Sequence, residues 1–81
     1  MYYTYIIESE IKQDQRYIGH TSDITQRLAE HNSGKCLYTV KFRPWKIKLY
    51  IGFETLVLAR QFERYLKSGS GHAFANKHFG F

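Results

Sequence analysis

Residues 45–53 read Trp-Lys-Ile-Lys-Leu-Tyr-Ile-Gly-Phe, with a large apolar side chain at every second position. Successive side chains of a β-strand point to opposite faces, so this period of two marks a strand. Trp45, Ile47, Leu49, Ile51 and Phe53 are expected on one face and Lys46, Lys48 and Tyr50 on the other. A strand of this kind needs partner strands beside it and helices over its apolar face.

The partners are near the start of the chain. Residues 2–8 are rich in Tyr and Ile and read as a strand; residues 16–20 read as its hairpin mate across a polar connection containing Gln13, Asp14 and Gln15. Two helices are well marked. Asp23 with Gln26 three positions on makes a variant of the capping box, Ile24 and Leu28 form an i, i+4 apolar pair, and Asn32-Ser33-Gly34 supplies a stop, which predicts a helix over 23–32. Thr55 is a plausible cap for the second, whose stripe of Leu58, Ala59, Phe62, Tyr65 and Leu66 is expected to end at Gly69 and Gly71. A final short helix is expected over 72–78. The order strand, strand, helix, strand, helix, helix predicts an α+β fold: a small three-stranded antiparallel sheet flanked by about three helices. A chain of 81 residues has too little interior to divide, so residues 1–81 form a single domain.

Composition narrows the partners. The net charge is +5, and no acidic residue occurs from His31 to Phe53, where Lys35, Lys41, Arg43, Lys46 and Lys48 fall. Such a stretch attracts a polyphosphate backbone, and Tyr38, Phe42, Trp45 and Tyr50 are interleaved in it as rings suited to stacking on unpaired bases. The plainer reading makes those rings core and those lysines a solvated face. The one cysteine, Cys36, cannot form an internal disulfide, which fits a reducing compartment. The first residues lack the pattern of a signal peptide and no apolar run is long enough to span a bilayer, so a cytoplasmic protein with no membrane partner is expected.

Several side chains have the chemistry of phosphodiester hydrolysis. Tyr17 shares a strand face with Gly19, and a glycine inside a strand often marks the close approach of a ligand or another backbone. Arg27 and His31 lie one turn apart on the same side of the first helix. A guanidinium there offers bidentate donors to a phosphate, although Asp23 or Glu30 are its ordinary partners. Glu63 sits at the edge of the second helix's buried stripe and needs a partner, either Lys67 at i+4 or a hard divalent ion such as Mg²⁺, which takes only one or two protein carboxylates.

Tyr3-Thr4-Tyr5, Tyr17-Ile18-Gly19, Arg27 and Glu63 occur in the order and spacing of the GIY-YIG endonuclease superfamily, and the chain resembles that family over essentially its whole length. It is most similar to the small standalone bacterial members in its His-Asn-Ser-Gly helix end, its Arg-Pro-Trp lead into the third strand and a Glu followed by Tyr-Leu-Lys-Ser-Gly. The resemblance implies a metal-dependent endonuclease with one Mg²⁺ or Mn²⁺. Tyr17 then activates the attacking water, Arg27 stabilises the transition state, Tyr5 is a supporting phenol and Glu63 is the only protein ligand of the metal. His31 stands where relatives bind the scissile phosphate or help to deprotonate the tyrosine. His20, in place of a lysine, and Asn76 fall at substrate-binding positions; Lys35, Lys41 and Arg43 are the basic-segment candidates for that role. Tyr3-Thr4 replace the Gly-Ile of the first motif. As a base Tyr17 needs its pKa lowered by Arg27, a histidine or metal-bound water, and cleavage is expected to leave a 5′-phosphate. DNA is expected ahead of RNA, with structure-selective cleavage in repair or recombination by analogy, and a homodimer or protein partner as a source of specificity. The alternative is a nucleic-acid-binding module with little or no activity.

Overall fold

The computed structural model describes all of residues 1–81. Strands β1 (Tyr2–Ser9) and β2 (Arg16–Thr21) form a hairpin, followed by helix α1 (Ile24–Ser33), a short 3₁₀ turn (Val40–Phe42), strand β3 (Trp45–Phe53) and helices α2 (Leu56–Leu66) and α3 (Gly69–Phe79). The sheet is antiparallel in the order β2-β1-β3, so the expected α+β fold, its three strands and its three helices are all present.

Because β1 is central, both of its faces are covered. Thr4 through Ser9 are buried without a break, which explains why Tyr5, Ile6 and Ile7 are apolar at three successive positions with no alternation. The helix signals hold. The Asp23 carboxylate accepts from the Gln26 backbone N–H at 3.0 Å, Gly34 closes α1 in the left-handed conformation, and the Thr55 hydroxyl accepts from Leu58 N–H at 3.2 Å.

Two expectations are corrected. The apolar residues of β3 do not share a face. A register shift pairs Ile6 with Leu49 but Ile7 with Ile47, and Ile6 and Ile7 point opposite ways. Trp45 and Ile47 therefore join Tyr5, Ile7, Tyr17, Ile24, Leu28 and Phe42 under α1, whereas Leu49, Ile51 and Phe53 face α2 and α3. A bulge leaves the residue alternation intact while switching the face, so the sequence pattern could not reveal it.

The second correction concerns Gly69 and Gly71, which open α3 rather than merely ending α2; α3 begins three residues before the predicted start. The Ser68 hydroxyl caps it by accepting from Gly71 N–H at 3.1 Å. A Cβ at position 71 would lie 1.8 Å from the Tyr65 carbonyl oxygen, so only glycine lets α3 cross the end of α2 this closely. The crossing lets Phe74 meet Phe62 and Tyr65 edge to face beneath the sheet, with Phe53 5.6 Å from Phe62.

Candidate active site

The hairpin register places Tyr17 and Gly19 on the α1 face, opposite Ile7 and Tyr5. Gly19 is what brings the two phenols together: a Cβ there would lie 2.6 Å from the Tyr5 hydroxyl oxygen and 3.1 Å from the Tyr17 ring. The Tyr5 ring lies across the glycine with its centroid 6.3 Å from that of Tyr17.

A buried chain of hydrogen bonds holds Tyr5. Its hydroxyl is 2.9 Å from His31 Nε2, and His31 Nδ1 is 2.8 Å from the Thr39 hydroxyl. Thr39 gives its own proton to the Cys36 carbonyl at 3.3 Å. That pattern assigns the imidazole proton to Nδ1, so Nε2 accepts from Tyr5. Burial, and next the charge of Arg27, hold His31 below the ordinary histidine range, consistent with a neutral ring. Burial likewise raises the Tyr5 phenol far above the usual tyrosine range, with the neighbouring Tyr17 adding to the effect. In this structure His31 is 0% exposed and has both ring nitrogens engaged within the chain, one of them on the Tyr5 hydroxyl.

The Tyr17 hydroxyl has no hydrogen-bond partner within the chain, while its ring packs 4.9 Å from His31. Arg27, half-buried on α1, lies 3.4 Å from Glu30, the ordinary partner that its helix spacing offers. Its charge nonetheless acts on both phenols. Glu63 acts on both as well, from α2. Burial is the largest influence on Tyr17 and raises its pKa, as do Cys36 and Glu63, while Lys67 and Arg27 pull it down by less. The lowering that a base at this position requires is thus not supplied by the chain's own cations.

Glu63 comes from the opposite side of the sheet. His20, which pairs with Thr4 on the α2 face, places its Nδ1 2.5 Å from the Glu63 carboxylate, and Lys67 donates to the other oxygen at 2.7 Å. Burial works against the carboxylate, but the hydrogen bonds from Lys67 and His20 outweigh it and hold the group ionised below its ordinary range. His20, expected to bind substrate, has its Nδ1 on the Glu63 carboxylate and keeps 37% of its side chain exposed.

The chain holds no group of three or more His, Cys, Asp or Glu side chains able to share a metal ion. A cage of the zinc type is therefore not built here. A single ionised carboxylate with 18% of its side chain exposed suits a hard ion that keeps most of its shell as water and phosphate oxygen. Asn76 joins Arg16, Tyr17, Lys67 and His72 around a cavity of about 430 Å³ at the β2 edge. Lys35, Lys41 and Arg43 are exposed along the segment after α1, away from that cavity. The sequence reading missed Thr39, which has no motif, and Glu8, a 4%-exposed acid ringed by Arg16 at 3.2 Å, Lys48 at 3.7 Å and Lys46 at 3.9 Å. The hairpin register, which sets Glu8 opposite Arg16, was the available signal for the latter.

The chain is similar to known proteins over most of its length. The chain is 39% identical over 67 residues to the structure-specific endonuclease subunit slx1 of Schizosaccharomyces japonicus, covering 76% of this chain and 24% of that protein. It is 36% identical over 84 residues to the corresponding subunit of Candida dubliniensis, covering 95% of this chain and 28% of that protein. The UPF0213 protein lwe0147 of Listeria welshimeri is 50% identical over 40 residues, 48% of this chain and 44% of that protein. The chain thus spans less than half the length of each. Residues 1–77 match the GIY-YIG catalytic domain, and the chain belongs to the GIY-YIG family.

Proposed function

We propose that the protein is a divalent-metal-dependent endonuclease that hydrolyses phosphodiester bonds in DNA and selects branched or partly unpaired structures of the kind met in repair. The observation that carries the reading is that Gly19 brings the Tyr5 and Tyr17 rings together, 6.3 Å apart, with Tyr17 4.9 Å from His31, and that this paired phenol feels the charges of Arg27 and Glu63, side chains from two different helices. The relatives described as structure-specific endonuclease subunits support the choice of substrate class.

In this reading Glu63 would hold Mg²⁺ or Mn²⁺, which when bound would supply Lewis-acid neutralisation of the charge that develops in hydrolysis. The chain's residues do the rest. Tyr17, in the minor fraction that has already lost its proton to solvent, takes the proton of the attacking water at its phenolate oxygen and becomes a neutral phenol. The Tyr5–His31–Thr39 chain keeps Tyr5 protonated and its ring seated against Gly19. Arg27 exchanges its contact with Glu30 for the phosphate and stabilises the charge that grows on it. His20 and Lys67 keep Glu63 ionised and aimed.

The test is direct. Purified protein is given single-stranded, duplex, flap and branched DNA, and RNA, with Mg²⁺, with Mn²⁺ and with chelator. Metal-dependent nicking that leaves 5′-phosphate ends and favours branched DNA is expected. Undiminished cleavage by Glu63→Ala sinks the assignment; binding without cleavage by any preparation supports a pure binding module instead.

A further inference from the structure

The two most exposed large apolar side chains in the protein are neighbours: Leu37 is 87% exposed and Tyr38 is 85% exposed. They form the tip of the segment joining α1 to β3, and that tip is firmly based. Thr39, the next residue, is fully buried, bonded to His31 through its side chain and accepting from Trp45 Nε1 at 2.7 Å through its carbonyl. On the other side of the base, Gly34 turns the chain and Arg43 folds back, its Nε donating to the Val40 carbonyl at 3.1 Å. Two apolar side chains held out in water by a rigid base have no role in the core. Of the four rings that sequence alone placed among the lysines, Trp45 is buried and Phe42 half-buried, which leaves Tyr38 and Tyr50 available to a ligand.

The surroundings identify the occupant. Lys35, Lys41 and Arg43 are all exposed on this same segment, and no acid lies between His31 and Phe53. The tip is also beside the chemistry, because Thr39, the residue after Tyr38, bonds to His31, which in turn bonds to the Tyr5 hydroxyl. Apolar side chains between cations suit a base with an exposed π-face and a phosphate on each side; a protein surface of mixed charge has no need of that arrangement.

We infer that the Leu37–Tyr38 tip reads substrate structure: it stacks on the first unpaired base where duplex DNA gives way to single strand, while Lys35 and Lys41 hold the flanking phosphates. The inference rests on the nucleic-acid reading above and names the element that gives it selectivity. A fully paired end offers the tip no free base, so a junction gains a contact that a duplex lacks.

The experiment measures affinity by fluorescence anisotropy, at one fixed salt concentration, for a duplex, a single strand and a duplex with a single-stranded flap. Wild type, Leu37→Ala/Tyr38→Ala and Lys35→Ala/Lys41→Ala are compared, with cleavage followed in parallel. Wild type is expected to prefer the flap over the duplex by about tenfold or more, the scale of one base–aromatic stack. The tip variant is expected to lose that preference with its duplex affinity retained. The lysine variant is expected to weaken on all three DNAs together and keep it. A tip variant that retains the preference, or that weakens equally on every DNA, overturns the inference. So does a wild-type dimer that the tip substitutions dissociate without changing the DNA preference, which would make the tip a contact between copies. The hydrolysis reading fails separately: lost preference in a protein that never cleaves leaves the tip assignment standing, and cleavage with a tip-independent preference leaves only the hydrolysis standing.

Discussion

The two faces of the sheet are built on different principles. Under α1, side chains are fixed by directional bonds: Tyr5 to His31, His31 to Thr39, and Trp45 Nε1 to the Thr39 carbonyl. Under α2 and α3 the packing is mostly apolar, with buried Ile6, Ala59, Leu66 and Ala75 and the half-buried rings Phe53, Phe62, Phe74 and Phe79 in edge or tilted contact. One buried side-chain hydrogen bond, from the Thr4 hydroxyl to the Ala59 carbonyl, crosses it. Hydrogen bonds fix positions to a few tenths of an ångström, whereas ring contacts set a spacing and tolerate small slides. The phenols lie on the first face, where position is strictly set. Glu63 comes from the second, and the bonds to His20 and Lys67 supply locally the precision which that face lacks.

The sharpest way to break this contrast is to remove chemistry from each side. Glu63→Ala is expected to abolish metal-dependent cleavage, and Tyr17→Phe to lower kcat by about 10²- to 10⁴-fold, the range for loss of a positioned base. Because the Tyr17 hydroxyl has no internal partner, Tyr17→Phe should leave the melting temperature nearly unchanged. A large fall in melting temperature with retained cleavage would make Tyr17 a structural residue. The raised pKa of Tyr17 adds a pH signature. Its phenolate is scarce at neutral pH, so kcat/KM in wild type should climb as pH rises through 7 to 9, and the rise should vanish in Tyr17→Phe.

Gly71→Ala probes the second face alone. The added methyl meets the Tyr65 carbonyl, a backbone atom unable to swing aside, so a loss of about 3 kcal/mol is expected in chemical denaturation. The α1 face should keep its geometry below the midpoint. A crystal structure in which the Tyr5–His31 distance changes as much as the α2–α3 crossing would show that the faces are not independent.

Acid distinguishes the faces again. His31 is held neutral, so its folded pKa lies below its unfolded value. Its contribution to stability is complete above about pH 6.5 and is lost as the pH falls below that, because the unfolded chain then takes up more protons. Glu63 is shifted the same way from a carboxylate reference of 4.5, and its contribution is lost only as the pH falls below about that value. Melting temperature should therefore decline between pH 6.5 and 5 through the α1 face, and His31→Gln should flatten that part of the curve. An unchanged slope in the variant would assign it to another group.

Much of this was legible in the sequence and some was not, for identifiable reasons. Caps and the hairpin are local: Asp23, Thr55 and Gly34 act within one turn, so their residue types suffice. Tyr17 and Glu63 stand out in the sequence as candidates because their motifs keep order and spacing. Thr4, which departs from the family's first motif, serves packing, giving its hydroxyl proton to the Ala59 carbonyl at 2.6 Å. The bulge at Ile6/Ile7, the seating of His31 by Thr39 and the pairing of His20 with Glu63 depend on where distant segments meet, and no local pattern encodes them.

The smallest expected effect tests the contrast most finely. Thr55 caps α2 two turns before Glu63, and Thr55→Ala removes the acceptor for Leu58 N–H at an exposed helix end. Loss of such a cap costs about 1 kcal/mol, which for a domain of this size lowers the melting temperature by roughly 4–8 °C. The helix beyond the first turn is held elsewhere, by buried Ala59 and Leu66 and by the Thr4 bond to the Ala59 carbonyl. Fraying at Thr55 should therefore stop before Glu63, and kcat measured well below the midpoint should match wild type. A fall in kcat without the expected loss of stability would mean that small slides of α2 reach the carboxylate despite His20 and Lys67. The apolar face would then set catalytic geometry directly, and the division between a positioned face and a packed one would no longer hold.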